Sequence, residues 1–309
     1  MFSETIQKFR ESISPDRTRV VSLAPLIFVF GGPTSVSDKY ASCRNVFLSW
    51  AHDSGFELAN SLVTPEQYPE WNQFEGYDNL VEFERDAGCL SRGILLFSEC
   101  AGALAELGAF CMDEVLCERL LVVLERAHYK EDSFIRLGPI KHIEDTHGDG
   151  AICVVDSVDE KEVFESQVSG VGGALKAKVE TLPKTHRFDP SRTRDQFLLI
   201  IDLVELFGAL TKREIEELLE YMGISHEPKH FKRMLNLLKM LGLIIHSKKL
   251  TNPFFVAPKN RSFFLDYSGQ GDLKFERAPF KLKTTRPALR KDKERLSAYE
   301  DIHGVQTWI

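Results

Sequence analysis

Residues 93–110, GILLFSECAGALAELGAF, constrain the fold of this chain more than any other segment. The run from Gly93 to Phe97 is short, apolar and bounded by turn-forming residues, which predicts a buried strand of a parallel sheet. A small-residue loop at 98–102 then leads into a helix that carries Glu106 in its first turns. Ligands of open α/β sheets bind outside the carboxyl ends of the strands. Ser98, Gly102 and Glu106 are therefore predicted to line a ligand site.

The position of Glu106 predicts a chemistry as well as a place. A helix start directs unpaired N–H groups and a positive dipole end toward the site, so we expect the Glu106 carboxylate to be held ionised. An anionic carboxylate can attack or stabilise an oxocarbenium-like carbon, as in cleavage of an N-glycosidic bond. The alternative at this point is that Glu106 is an ordinary solvated helix residue.

The chain around this segment alternates between strand and helix patterns. Strands are predicted at 26–30, 93–97, 120–124 and 151–155, and helices at 39–55, 79–89, 103–117 and 160–178. This alternation is typical of an α/β fold, a Rossmann-like or flavodoxin-like parallel sheet covered by helices on both faces. The sequence contains neither Gly-x-Gly-x-x-Gly nor Gly-Lys-Ser/Thr, so no dinucleotide or P-loop fingerprint is predicted.

Composition narrows the environment and the chemistry. No apolar run approaches the ~20 residues that span a bilayer, which predicts a soluble protein that does not bind membranes. The six cysteines form no Cys-x-x-Cys pair, a pattern of buried free thiols that favours a reducing cytoplasm. The histidines show no metal-ligand spacing, so no metal is expected. No cofactor is expected either.

Charge is distributed unevenly along the chain. The formal net charge is -7, yet residues 227–295 hold 17 Lys and Arg against 6 Asp and Glu. Such an asymmetry is typical of contact with a polyanion, and the lack of a basic amphipathic helix with an aromatic face favours nucleic acid over a membrane. A basic face that is merely solvated remains the alternative.

The second half of the sequence predicts three helices followed by a hairpin. A linker with Pro183 and Pro190 precedes apolar-periodic helices at 195–207, 211–222 and 230–241, and Thr211 with Glu214 forms a predicted capping box. The pattern resembles a winged helix, a module that binds either nucleic acid or protein. The predicted domains are thus 1–182, 183–270 and a basic tail at 271–309 that orders only against a partner. The predicted nucleic-acid contacts are Lys229, Lys232, Arg233, Lys239, Lys248 and Lys249.

Three motifs of the first domain resemble the nucleoside deoxyribosyltransferase family. Glu106 stands in a Glu-Leu-Gly that matches the family's nucleophile, and Asp86 matches an active-site aspartate that contacts the base or assists proton transfer. Gly31-Gly32-Pro33 looks like the family's first-strand turn, where backbone approaches the ligand closely. Beside this turn, Arg44 and Asn45 are candidates for phosphate or ribose contacts, and a surface salt bridge is the alternative for Arg44.

The first strand departs from this family because it offers only aliphatic residues and phenylalanines where a tyrosine is common. Because cleavage with water as acceptor needs fewer positioned groups than transfer to a second base, this departure favours hydrolysis over base transfer. NAD is the preferred substrate, since its cationic nicotinamide leaves without prior protonation.

The combination of this domain with a winged helix and a basic tail resembles the effector proteins of bacterial retrons. That resemblance implies a toxic antiphage effector held inactive, in an oligomeric nucleoprotein complex, by a reverse transcriptase and its branched RNA–DNA product (msDNA). The alternatives are a nucleic-acid-binding regulator with a non-catalytic nucleotide-sensing domain and a deoxyribosyltransferase of nucleoside salvage.

Overall fold

A computed structural model describes residues 2–68, 77–183, 185–248, 253–259, 262–271 and 274–304. The strands are β1 (Ile13–Val20), β2 (Ile27–Phe30), β3 (Leu62–Val63), β4 (Gly93–Phe97), β5 (Leu120–Glu125), β6 (Ile152–Val155), β7 (His186–Arg187), β8 (Ala209–Leu210), β9 (Ile245–Lys248), β10 (Pro253–Val256) and β11 (Leu265–Gly269). The helices are α1 (Phe2–Ser12), α2 (Cys43–Asp53), α3 (Leu80–Leu90), α4 (Ala101–Cys111), α5 (Glu114–Arg119), α6 (Arg126–Lys130), α7 (Lys141–His147), α8 (Lys161–Glu165), α9 (Val168–Thr181), α10 (Thr193–Phe207), α11 (Lys212–Tyr221), α12 (Pro228–Met240), α13 (Arg277–Phe280), α14 (Arg286–Lys291) and α15 (Lys293–His303). In the described part of the chain, no helix is both long and apolar enough to span a membrane.

Residues 24–72 and 79–183 form a unit built on a five-stranded parallel sheet with the order β3-β2-β4-β5-β6. The middle strands β2, β4 and β5 read as continuous apolar runs because helices cover both faces of the sheet. The predicted Rossmann-like α/β class is confirmed. The chain runs from β2 to β3 on one side and returns to β4 on the other, so strand order reverses between β2 and β4. Ligands of such sheets bind at this reversal.

The second unit combines residues 1–23, 73–78 and 184–309. Strand β1 is the central strand of a small antiparallel sheet, in which Ile13 pairs with Gly269 and Val20 pairs with His186. The first 23 residues therefore belong with the C-terminal half, whereas the sequence-based division placed them in the first domain. Pairings across more than 160 residues leave no local signal in the sequence.

The C-terminal half contains the predicted three helices and hairpin. Helices α10, α11 and α12 are followed by β9 and β10, which pair antiparallel, and β8 completes this sheet on the other edge of β10. The capping box is confirmed: the Thr211 side chain accepts from the backbone N–H of Glu214, and the Glu214 carboxylate accepts from that of Thr211. Helical periodicity buries Ile215, Leu218, Met234 and Leu237 in this unit.

The basic tail at 271–309 was expected to order only against a partner, and for residues 277–303 this expectation is wrong. Residues 277–303 are helical almost throughout, including a π-helical stretch, Lys281–Thr285. The Arg295 side chain is buried, donates to both oxygens of Glu214 at 2.8 and 2.9 Å, and lies over the ring of Phe2. Internal ion pairs thus order a segment whose low periodicity suggested disorder.

Candidate active site

The site lies at the carboxyl ends of β2 and β4, where the strand order reverses. Strand β2 ends at Phe30 and continues into the Gly31-Gly32 turn, while β4 ends at Phe97 and continues through residues 98–100 into α4. The predicted helix at 103–117 is two helices, because the Asp113 carboxylate caps α5 by accepting from the N–H groups of Val115 and Leu116. Helix α4 begins at Ala101, so Glu106 lies in its second turn.

The Gly31-Gly32 turn closes around a side chain of this protein, Glu99. Its carboxylate accepts from the backbone N–H groups of Gly32 at 2.9 Å, Cys43 at 2.6 Å and Arg44 at 3.1 Å. Gly31 has a φ of 151°, and a Cβ there would lie 2.9 Å from Oε1 of Glu99. Glu99 therefore occupies the N-terminus of α2, a position suited to an anion. Sequence reasoning predicted close approach at this turn but assigned it to a ligand.

Arg44 projects from the first turn of α2 into the interior. It is 2% exposed, donates to the carbonyl of Val29 at 3.3 Å, and forms an ion pair with Glu66 at 3.0 Å. Its Nε is buried and, within the described residues, has no hydrogen-bond partner. A buried guanidinium with one unused N–H can donate a hydrogen bond to an additional polar group.

Glu106 is half-buried, and its Oε2 is buried without a hydrogen-bond partner among the described residues. Burial raises the pKa of the Glu106 carboxyl to about 7, the charge of Arg44 opposes this, and the charge of Glu66 adds to it. The sequence predicts an ionised Glu106, whereas with this pKa the ionised and protonated forms coexist near neutral pH. The helix dipole acts mainly within the first turn, and Glu106 lies beyond that turn.

A second carboxyl, Glu84 on α3, belongs to the same cluster. Glu84 is buried, and burial followed by the charges of Glu106 and Glu66 raises its pKa to about 8. Asp86, the residue predicted from the sequence, is also buried on α3. Residues two positions apart on a helix lie about 200° apart around its axis. Glu84 feels the charge of Glu106, and Asp86 lies on a different side of the helix.

The other predicted site residues have structural contacts or are exposed. The Ser98 hydroxyl is buried and donates to the carbonyl of Val123 at 2.8 Å. Asn45 shapes the loop that follows Pro33, because its side chain bonds the backbone of Ser35, Asp38 and Lys39. Pro33 and Gly102 are exposed, and Gly102 has open space where a Cβ would be.

The predicted nucleic-acid residues are distributed over α12 and β9. Lys229 donates to both oxygens of Asp78 at 2.9 and 3.0 Å, and the Arg233 guanidinium lies 4.8 Å from the centre of the Tyr77 ring. Lys232 is exposed and Lys239 is half-buried on the same helix. Lys248 is the last residue of β9, and Lys249 lies outside the described residues.

Comparison with known proteins shows which family this chain resembles. Residues 40–246 match the family described as the STM3845 retron effector protein. The chain belongs to this retron effector family. It is also similar to an Escherichia coli protein named "Retron Ec73 putative ribosyltransferase/DNA-binding protein", with 28% identity over 242 residues, 73% of this chain and 72% of that protein.

We call Glu66, Glu84 and Glu106, together with the neighbouring Arg44, the carboxyl cluster. The family match in this retron effector includes all four residues. Sequence reasoning found Arg44 and Glu106 through the strand-end rule and the Glu-Leu-Gly motif. It missed Glu66, Glu84 and Glu99, because nothing in the local sequence distinguishes a carboxyl that folds back toward Arg44 or the α2 N-terminus from one that faces solvent.

Proposed function

We propose that this retron effector is an N-glycosidase that cleaves the bond between base and ribose in NAD or a related nucleotide. The observation that carries the proposal is a pair of buried polar atoms without partners among the described residues, Oε2 of Glu106 and Nε of Arg44, beside the strand reversal. Buried polar atoms in native structures normally have partners, so two unpartnered ones at a strand reversal support a site for a polar ligand. The name of the Escherichia coli relative supports a reaction at ribose.

In the proposed reaction Glu106 acts in its ionised form. It attacks or electrostatically supports the anomeric carbon while the bond to the base breaks, and water completes the hydrolysis to free base and ribose product. Arg44 favours the ionised form of Glu106, and protonated Glu84 supplies the proton that a neutral base needs to leave. Because Glu84 can act as an acid, purine nucleotides are candidates beside NAD. Asp86 remains a predicted helper without an assigned step.

The proposed biological role is that of a toxic effector of an antiphage retron system. The reverse transcriptase and msDNA are its proposed partners and hold the enzyme in check, and α10–α12 with the β9–β10 hairpin act as a winged helix in that complex. Family membership supports this role, and the word DNA-binding in the name of the relative supports a nucleic-acid partner.

The test is to incubate the purified protein with NAD and with purine nucleotides and to separate released base by chromatography. Glu106→Gln keeps the shape of the side chain and removes its charge, so we expect release to fall by roughly 100-fold or more. Glu180→Gln makes the same change at an exposed position of α9 and is expected to leave release unchanged. Release that survives Glu106→Gln would refute the proposal. Nucleotide binding without release by the wild type would favour the sensing function instead.

A further inference from the structure

Three exposed lysines near the C-terminus form a surface that we name the C-terminal basic strip: Lys283, Lys291 and Lys293. Among the described residues, none of the three has an ion pair or side-chain hydrogen bond. The surrounding segment, residues 281–293, holds six Lys and Arg against one Asp. That aspartate, Asp292, is itself paired with Arg295. The strip therefore presents uncompensated positive charge to solvent.

The helices that carry the strip are packed against the rest of their unit. The opposite side of these helices buries Phe280, Thr285 and Leu289, and the Thr285 hydroxyl donates to the carbonyl of Leu206 at 3.2 Å. Arg277, the first residue of α13, pairs with Glu205 at 2.7 Å. Because the helices are held before any partner binds, engaging their lysines does not require the segment to fold first.

Two basic side chains of α12, the helix predicted to contact nucleic acid, already have partners within the protein. Lys229 is already bonded to Asp78, and the guanidinium of Arg233 already covers the ring of Tyr77. A phosphate that approached Lys229 would have to displace a carboxylate held at 2.9 Å. A phosphate that approached the C-terminal basic strip would displace only water and counterions.

We infer that the C-terminal basic strip binds the phosphate backbone of a nucleic acid. Lys283 and Lys291 are eight residues apart, about 12 Å along a helix, which matches three to four phosphates along one strand at about 3.4 Å each. A membrane fits less well, because a membrane-bound helix exposes an apolar face beside its charges. Here Phe280 and Leu289 are buried in the protein, and Leu282, the one large apolar side chain exposed between residues 277 and 293, is too little to form such a face. The inference deepens the partner assignment of the proposed function and does not depend on its chemistry.

The experiment measures binding of the full chain to a fluorescent DNA hairpin and to an RNA of the same sequence, over a range of salt concentrations. The test variant replaces Lys283, Lys291 and Lys293 together with Gln. The control replaces Lys8, Lys130 and Lys141, three exposed lysines elsewhere, with the same loss of net charge. A Lys229→Gln variant reports on α12, and circular dichroism establishes that all variants are folded.

We expect the strip variant to bind at least about tenfold more weakly at low salt and to lose about 2 to 3 units of the salt slope. The control and Lys229→Gln should stay close to wild type. Equal losses in the strip variant and the control would overturn the inference, since they would reflect bulk charge alone. A larger loss in Lys229→Gln, or wild-type binding to phosphatidylserine vesicles but not to either oligonucleotide, would overturn it as well. Base release by the strip variant is measured in parallel, so that failure here is distinguishable from failure of the glycosidase proposal.

Discussion

At the scale of single residues, the carboxyl cluster determines what the site can do. Two like-charged groups that share a low-dielectric setting cannot both ionise easily, so their titrations separate. The pKa values of about 7 for Glu106 and about 8 for Glu84 leave one carboxylate and one carboxylic acid together near neutral pH. This is the protonation state that cleavage of a glycosidic bond requires.

The pH dependence of the proposed reaction follows from these two groups. Below a pH of about 7 Glu106 takes up a proton and loses its charge, and above about 8 Glu84 loses the proton that it donates. For a purine nucleotide, whose neutral base needs a proton to leave, we expect kcat/KM for base release to be a narrow bell between these values, which are properties of the pair. For NAD, whose nicotinamide leaves without protonation, we expect only the acid limb. Glu84→Gln should remove the alkaline limb. An unchanged alkaline limb in this variant would exclude Glu84 as the acid.

The same groups couple folding to pH. The pKa of Glu84 is higher in the folded protein than its usual value of 4.5, so the folded state holds the proton more tightly. The resulting stabilisation is complete below pH 4.5 and is lost as the pH rises through about 8. Between about pH 5 and pH 8 we expect this contribution to decrease by roughly 2 kcal/mol or more. Denaturant unfolding at both pH values should show the decrease in wild type and a smaller one in Glu84→Gln.

At the scale of elements, the sequence was most informative where apolar runs end at turn residues. The strands at 27–30, 93–97, 120–125 and 152–155 were all predicted to within a residue or two, because burial on both sides leaves an unambiguous apolar signature. The two-residue strand β3 and the break between α4 and α5 were missed. A strand of two residues has no periodicity, and the break depends on one capping aspartate, Asp113.

Glu99 shows how one side chain can define an element boundary. Its carboxylate satisfies three backbone N–H groups at the Gly32 turn and the first turn of α2. Glu99→Ala should lower the free energy of unfolding by about 1 to 3 kcal/mol, because these donors lose their acceptor. An N–H cradle vacated in this way is an anion site. Inorganic phosphate should therefore raise the thermal midpoint of Glu99→Ala more than that of wild type, and equal shifts would show that no anion enters.

At the scale of the whole molecule, the N-terminal residues join the half of the chain that is farthest from them in sequence. Phe9 on α1 is fully buried, with its ring 5.1 to 5.9 Å from those of Phe207, Tyr267, Phe275 and Phe280. Asp202, inside the apolar helix α10, accepts from the N–H groups of Phe264 and Leu265 and from the Tyr267 hydroxyl. Neither arrangement could be predicted, since both depend on contacts between segments that are distant in sequence.

The division into two units predicts which elements lose hydrogen-exchange protection when a core residue of either unit is replaced. Phe9→Ala removes an aromatic ring from the centre of an aromatic cluster, which typically costs about 3 to 5 kcal/mol. Hydrogen exchange should accelerate in α10 and α12 while β2 and β4 keep their protection, because these strands belong to the other unit. Phe164→Ala is the matched control, since Phe164 is equally buried but packs on Phe97 of β4, and it should give the reverse pattern. If Phe9→Ala deprotects β4 as strongly as α10, the two units unfold as one, and the N-terminal residues support the whole chain rather than its C-terminal half.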